Sequence, residues 1–322
     1  MTDSRPAKRS RSDIAYEPSI NYERSKDFWF ADGNVVLVAQ NTAFRLHQGV
    51  LGRKSAIFQD MFAIPQPEDA DIYEGCPKVE LSDAAEDIEE MLAVLYDGDS
   101  LLNTFDTKLK RPAVISAWLR LGTKYQLDLL RDEAMKKLAQ RYPETLKDYD
   151  AWVTQSNPSD ESRWSQERGD IIAVNLARKF DLHGLLPAAF LACSQLSIKR
   201  LVVDPEHTGP DYEDLTILSF ADLRRCLSGR EQLHDFYMSR YHFPPTCRSS
   251  ASCESTIKVL KEEAWDELFE EYLQTPLRSF EWAEHTALCS ACVRSFSISD
   301  LEERERMWGL LKSIFKLNVE RG

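Results

Sequence analysis

The chain has 322 residues, 43% of them hydrophobic and 29% charged, ample for a buried core and about two domains at roughly 100–200 residues each. Forty basic against 53 acidic side chains leave a formal charge of −13, which excludes a whole-surface nucleic-acid binder, because phosphate contacts need a basic face. With 12 glycines, collagen-like repeats and Gly-rich linkers are out; no apolar run reaches the roughly 18–20 residues needed to cross a bilayer.

Residues 1–27 are polar, rich in Ser, Arg and Asp, and show no repeating apolar face, so they read as a disordered tail. Lys8, Arg9 and Arg11 form a short basic cluster of the kind that serves as a nuclear address. No apolar signal core opens the chain, and seven cysteines without an export signal point to a reducing compartment, cytoplasm or nucleus. After the turn signal Asp32-Gly33-Asn34, Val35–Val38 reads as a buried strand. The alternating Thr42–His47 pairs back on it through a turn at Gln40-Asn41. Ser55 caps a short helix carrying Ile57, Phe58, Met61 and Phe62 on one face. Lys78–Leu81 is a short third strand, and the next helix carries the apolar stripe Ile88, Met91, Leu92 and Leu95. Two more helices follow at about 111–125 and 128–140, ended by Pro143.

This order resembles a BTB/POZ domain over residues 28–142. The resemblance is carried by Asp32 before the first strand, the run Phe44-Arg45-Leu46-His47, the helix pattern Ser55-x-x-Phe58-x-x-Met61-Phe62, and the helix ending Leu95-Tyr96-Asp97-Gly98. It implies an α+β fold, a small sheet-and-helix domain followed by a mostly α-helical region. It also implies a non-enzymatic role: self-association, scaffolding, or service as a ubiquitin-ligase adaptor that recruits a cullin. His47 would then be a structural residue. Residues 14–30 contain Pro18 and no apolar period, so the amphipathic dimer helix common in the family is not expected. The hydrophobic-x-Glu step by which the family often recruits cullins is matched by Ile88-Glu89-Glu90, which makes Ile88 and Glu90 candidate partner-binding residues, although Ile88 is also needed for the apolar stripe. A nuclear, transcription-related scaffold is the alternative within the same class.

The rest divides into a helical region over 143–245 and a helical C-terminal region over 246–322. It is similar in kind to the helical tails of many fungal BTB proteins. Apolar positions set helices near Ile171–Leu176, Leu182–Phe190, 220–240, Ile257–Tyr272 and a last one ending at Trp308, Leu311, Ile314 and Phe315. Helical spacing makes the stripe Trp265, Phe269 and Tyr272 core packing.

The strongest chemical signal is Cys247-x5-Cys253 followed, after 35 residues, by Cys289-x2-Cys292. Four thiolates complete a tetrahedral zinc shell, and a Cys-x2-Cys turn lets two sulfurs face one ion. Such a closed shell leaves no position for water, so the Zn2+ would supply folding energy rather than catalysis. His242 and His285 lie near enough in sequence to replace one cysteine. Two other readings stay open: a thiol-redox pair at Cys289 and Cys292, and plain reduced cysteines. Gly49–Ser55 has two residues between its glycines, and Arg53 separates Gly52 from Lys54, so it is not a phosphate-binding loop and no nucleotide is expected. None of the common hydrolase, zinc-protease or dinucleotide motifs occurs. The expected partners are proteins, with no membrane and no direct nucleic-acid contact.

Overall fold

The computed structural model describes residues 21–64, 71–97, 111–156, 158–202, 215–240, 247, 251–266, 277, 279–280, 282 and 287–317. Among the described residues, five strands form one mixed sheet: β1 (Glu23–Trp29), β2 (Val35–Ala39), β3 (Thr42–Leu46), β4 (Ile72–Tyr73) and β5 (Cys76–Leu81), in the order β1-β3-β2-β5-β4. β2 lies at the centre and is buried along its whole length, which is why it reads as an unbroken apolar run rather than an alternating one. It pairs antiparallel with β3, from Val35↔Leu46 to Ala39↔Thr42, and parallel with β5, from Val36↔Lys78 to Ala39↔Leu81. The hairpin turn places Gln40 in the left-handed region at φ 53°. Period-2 geometry sends Val35, Leu37, Ala39, Phe44 and Leu46 into the main core, and Val36, Val38 and Ala43 to the opposite face. There Cys76 and the half-buried Tyr22, Trp29 and Tyr73 pack over them.

β1 corrects one expectation, because residues 23–27 are ordered strand rather than tail. They pair parallel with β3 across a register shift, and only Ser25 and Phe28 are buried. The exposed charges Glu23, Arg24, Lys26 and Asp27 hide this strand from a hydrophobic-pattern reading, since its stability comes from edge pairing.

Two short helices follow β3, α1 (Gln48–Lys54) and α2 (Ala56–Ala63). Ser55 separates them. Its hydroxyl accepts the Phe58 N–H at 3.1 Å as an N-cap and donates to the Tyr125 carbonyl at 2.6 Å. α3 (Ala85–Asp97) buries Ile88, Met91, Leu92 and Val94. α4 (Pro112–Lys124) and α5 (Asp128–Arg141) then form a tight pair. A Cβ added at Gly122 would lie 2.7 Å from the Arg131 backbone nitrogen, so only glycine permits that approach.

The helical region comprises α6 (Leu146–Gln155), α7 (Pro158–Gln166), α8 (Gly169–Lys179), α9 (Leu186–Gln195), the short α10 (Ile198–Leu201), α11 (Phe220–Arg240), α12 (Ala251–Asp266) and α13 (Ser290–Ile314). The core does not break at residue 142. One apolar cluster runs from Phe28 through Trp118, Tyr142, Ile171 and Phe190 to Phe315, and α4 packs on α8 across that point. A second, smaller cluster joins Cys247, Cys253, Ile257, Leu260, Trp282, Leu288 and Phe296. Among the described residues, no helix is long and apolar enough to cross a membrane.

Candidate metal centre

The second cluster holds the four cysteines. Cys253 lies in the first turn of α12, and Cys247 precedes it by six positions. Cys289 is the N-cap of α13 and Cys292 its third residue. Residues three apart on a helix share one side, so both sulfurs face the same point.

The four Sγ atoms lie within 4.8 Å of one another, and those of Cys247 and Cys289 are 3.8 Å apart. A tetrahedral zinc with bonds of about 2.3 Å requires sulfur–sulfur edges of about 3.8 Å. All four are free thiols, and the spacing is far beyond the roughly 2.05 Å of a disulfide. Cys247 and Cys253 are buried, while Cys289 and Cys292 are partly exposed.

The electrostatics suit a cation. The Cys289 backbone N–H donates to the Cys253 sulfur at 3.4 Å. The Cys292 backbone N–H, at the positive end of α13, holds the Cys289 thiol below the ordinary range. Burial pushes Cys253 and Cys292 up, and the neighbouring sulfurs hold Cys292 higher still. Cys253 and Cys292 therefore resist deprotonation, a penalty that a bound divalent cation removes. Trp282 packs between Phe280 and Phe296, with ring centroids at 4.3 and 4.9 Å, completing an apolar shell. The donor set, the spacing and the Cys289 N–H held on the Cys253 sulfur fit a closed four-sulfur zinc site of structural type.

α13 ties this centre to the rest of the protein. Cys292, Val293 and Phe296 belong to the small cluster, whereas Met307, Leu311 and Ile314 belong to the main core. Between them, the buried Arg304 donates from Nε to the Leu277 carbonyl at 2.7 Å and pairs through Nη2 with Asp150 on α6. One turn on, the Trp308 indole donates to the Glu144 carbonyl at 2.9 Å.

The other residues singled out from sequence lie elsewhere. Ile88 is wholly buried in the main core, so its side chain serves packing; Glu90 is half-buried on the same helix. Gly49–Lys54 lies within α1 and forms no phosphate cradle. His47 sits at the N-cap of α1, with Nε2 3.2 Å from Asp32 and its backbone N–H donating to the Tyr96 hydroxyl at 2.9 Å. Lys8, Arg9, Arg11, His242 and His285, together with the side chains of Trp265, Phe269 and Tyr272, lie outside the described residues.

One polar network escaped the sequence reading. The buried Asp170 accepts from the Tyr142 hydroxyl at 2.7 Å and the Trp164 indole at 3.2 Å, both on Oδ1. Arg141 forms a bidentate pair with Glu161, both bonds 2.7 Å, and its guanidinium lies over the rings of Trp164 and Trp152 at 4.4 and 4.9 Å. Burial beside Asp170 raises the Tyr142 hydroxyl well above the usual phenol range. The Arg141–Glu161 and Tyr142–Asp170 contacts span 20 and 28 positions, so local spacing does not reveal the network even though Trp164 lies only six residues before Asp170.

Comparison with known families matches residues 28–142 to the BTB/POZ domain. Comparison with curated proteins and with solved structures returns no match.

Proposed function

We propose, from the BTB/POZ domain at residues 28–142, that this protein is a non-enzymatic adaptor or scaffold. BTB/POZ domains are protein–protein interaction modules, and that match is the observation that carries the reading. The domain shares one continuous core with the helical region behind it, so the two would be presented to a partner as one rigid body. In the adaptor form the partner is a cullin-type ubiquitin-ligase scaffold, met by the exposed acids Glu86 and Glu89 and the half-buried Glu90 on α3. Ile88 would support that surface from beneath. The test is size-exclusion chromatography with light scattering of the full chain, alone and mixed with a purified cullin N-terminal region. A stable complex weakened at least tenfold by Glu89→Lys supports the adaptor reading. A homodimer that ignores the cullin supports self-association, and a monomer that binds neither overturns both.

In the same proposal, Cys247, Cys253, Cys289 and Cys292 hold one Zn2+ that clips α12 to the start of α13. Elemental analysis should find one zinc per chain and no reactive thiol at these four positions. A metal-free protein with a reducible Cys289–Cys292 disulfide would favour the thiol-redox alternative.

A further inference from the structure

A cavity of about 360 Å3 opens between the end of α5 and helices α6, α7, α8 and α9, a size at the lower end of small-molecule sites. Tyr142, Tyr149, Trp152 and Leu191 line it, and Arg141 and Asp170 form its polar wall.

The charges in that wall do not balance. Arg141 spends its fork on Glu161, which makes a neutral pair. Asp170 is 6% exposed and is held on Oδ1 by two uncharged donors. Arg141 Nε, the nearest cationic atom, stands 3.8 Å from that same oxygen and makes no hydrogen bond. Asp170 Oδ2 accepts no hydrogen bond among the described residues. Arg200 reaches Ser165 at the rim, but its side chain is exposed and screened by water. A buried carboxylate whose nearest cation is already paired with Glu161 is costly, and this one borders an aromatic cavity, where ring faces attract positive charge.

We infer that the cavity binds a small organic cation, a primary ammonium carried on a flat apolar body. The ammonium donates to Asp170 Oδ2 and the body lies against Tyr149 and Trp152. Water bridging Arg141 and Asp170 is the competing occupant. It predicts no preference for charge.

The two are separated by titrating the full chain with benzylammonium and with its uncharged counterpart, benzyl alcohol, using calorimetry and ligand-observed NMR. Asp170→Asn keeps an acceptor for Tyr142 and Trp164 while removing the charge. Trp152→Leu trims the half-exposed wall and leaves the carboxylate untouched. The expected result is saturable benzylammonium binding at least tenfold tighter than that of the alcohol. Asp170→Asn should abolish that preference, and Trp152→Leu should weaken the amine. Equal binding of both probes, no saturation, or an unchanged preference in Asp170→Asn overturns the inference. Should Asp170→Asn fail to fold, the comparison of probes on the wild type and on Trp152→Leu decides it.

Discussion

Stripping the proposed zinc from the four-sulfur centre with a chelator should open α12 and the first turns of α13 while the far half of α13 stays closed. The boundary follows from where the helix is buried. N-terminal to Asp300, α13 buries only Phe296, with Cys292 and Val293 half-buried, all in the small cluster. From Arg304 onward it buries Met307, Leu311 and Ile314 in the main core. Cys292 and Arg304 stand twelve residues apart, roughly 18 Å at the helical rise, so loss of the clip is not felt directly at the lock. Structural zinc contributes apparent free energies of about 10–16 kcal/mol in small metal-dependent folds. If only about 4 kcal/mol of that appears as local opening energy, amide exchange speeds up roughly a thousandfold. Hydrogen exchange read by mass spectrometry, with peptides over 251–300 compared with 301–317, resolves the two halves. Protection should collapse in the first set and persist in the second. Unchanged protection in both would mean the sulfurs hold no metal that matters; equal collapse would mean that Arg304 and its partners do not anchor the helix.

Three further outcomes follow from the same geometry. Ser55→Ala removes an N-cap and a buried donor to the Tyr125 carbonyl and should cost about 2 kcal/mol, seen as a lower urea midpoint at unchanged slope; a loss below about 0.5 kcal/mol would count against the cap. Gly229→Ala on α11 would place its Cβ 2.2 Å from the Phe315 ring, which stacks on Phe190. Thermal unfolding should register a loss of about 1–3 kcal/mol, and wild-type stability would contradict that packing. Burial pushes the Tyr149 hydroxyl up to about 12, with Arg304 opposing. A folded pKa above the unfolded value of about 10 gives stability that is present below pH 10 and lost as pH rises to about 12. Alkaline unfolding followed by tyrosinate absorbance should therefore have a shallower pH slope in Tyr149→Phe, and an identical slope would refute the assignment.

Legibility in the sequence tracked how local each interaction is. β2, β3 and α2 announce themselves because their burial follows periods of one, two or 3.6 residues and because Ser55 caps its own helix. β1 did not, since its charged residues are ordered by pairing with β3 rather than by an apolar face of their own. α1 was missed for a related reason: Gly49 and Gly52 lower its intrinsic helicity, and only Leu51 is buried. The four cysteines were visible as residue types, but their convergence depends on α12 meeting the start of α13, which spacing alone does not dictate. Ile88 illustrates the opposite case, where one residue satisfied both a recruitment pattern and an apolar stripe and the structure puts it in the core. Asp170 carried no signal at all. Its partners come from separate helices, and an isolated aspartate in an amphipathic stretch looks like surface.

Native mass spectrometry of the chain purified gently from its own cell tests the central account most directly, because one spectrum reads metal content and assembly together. The account predicts one zinc per chain and a particle heavier than a single 37.0 kDa chain, carrying either a second copy or a cullin-type partner. A zinc-free 37.0 kDa monomer would contradict it.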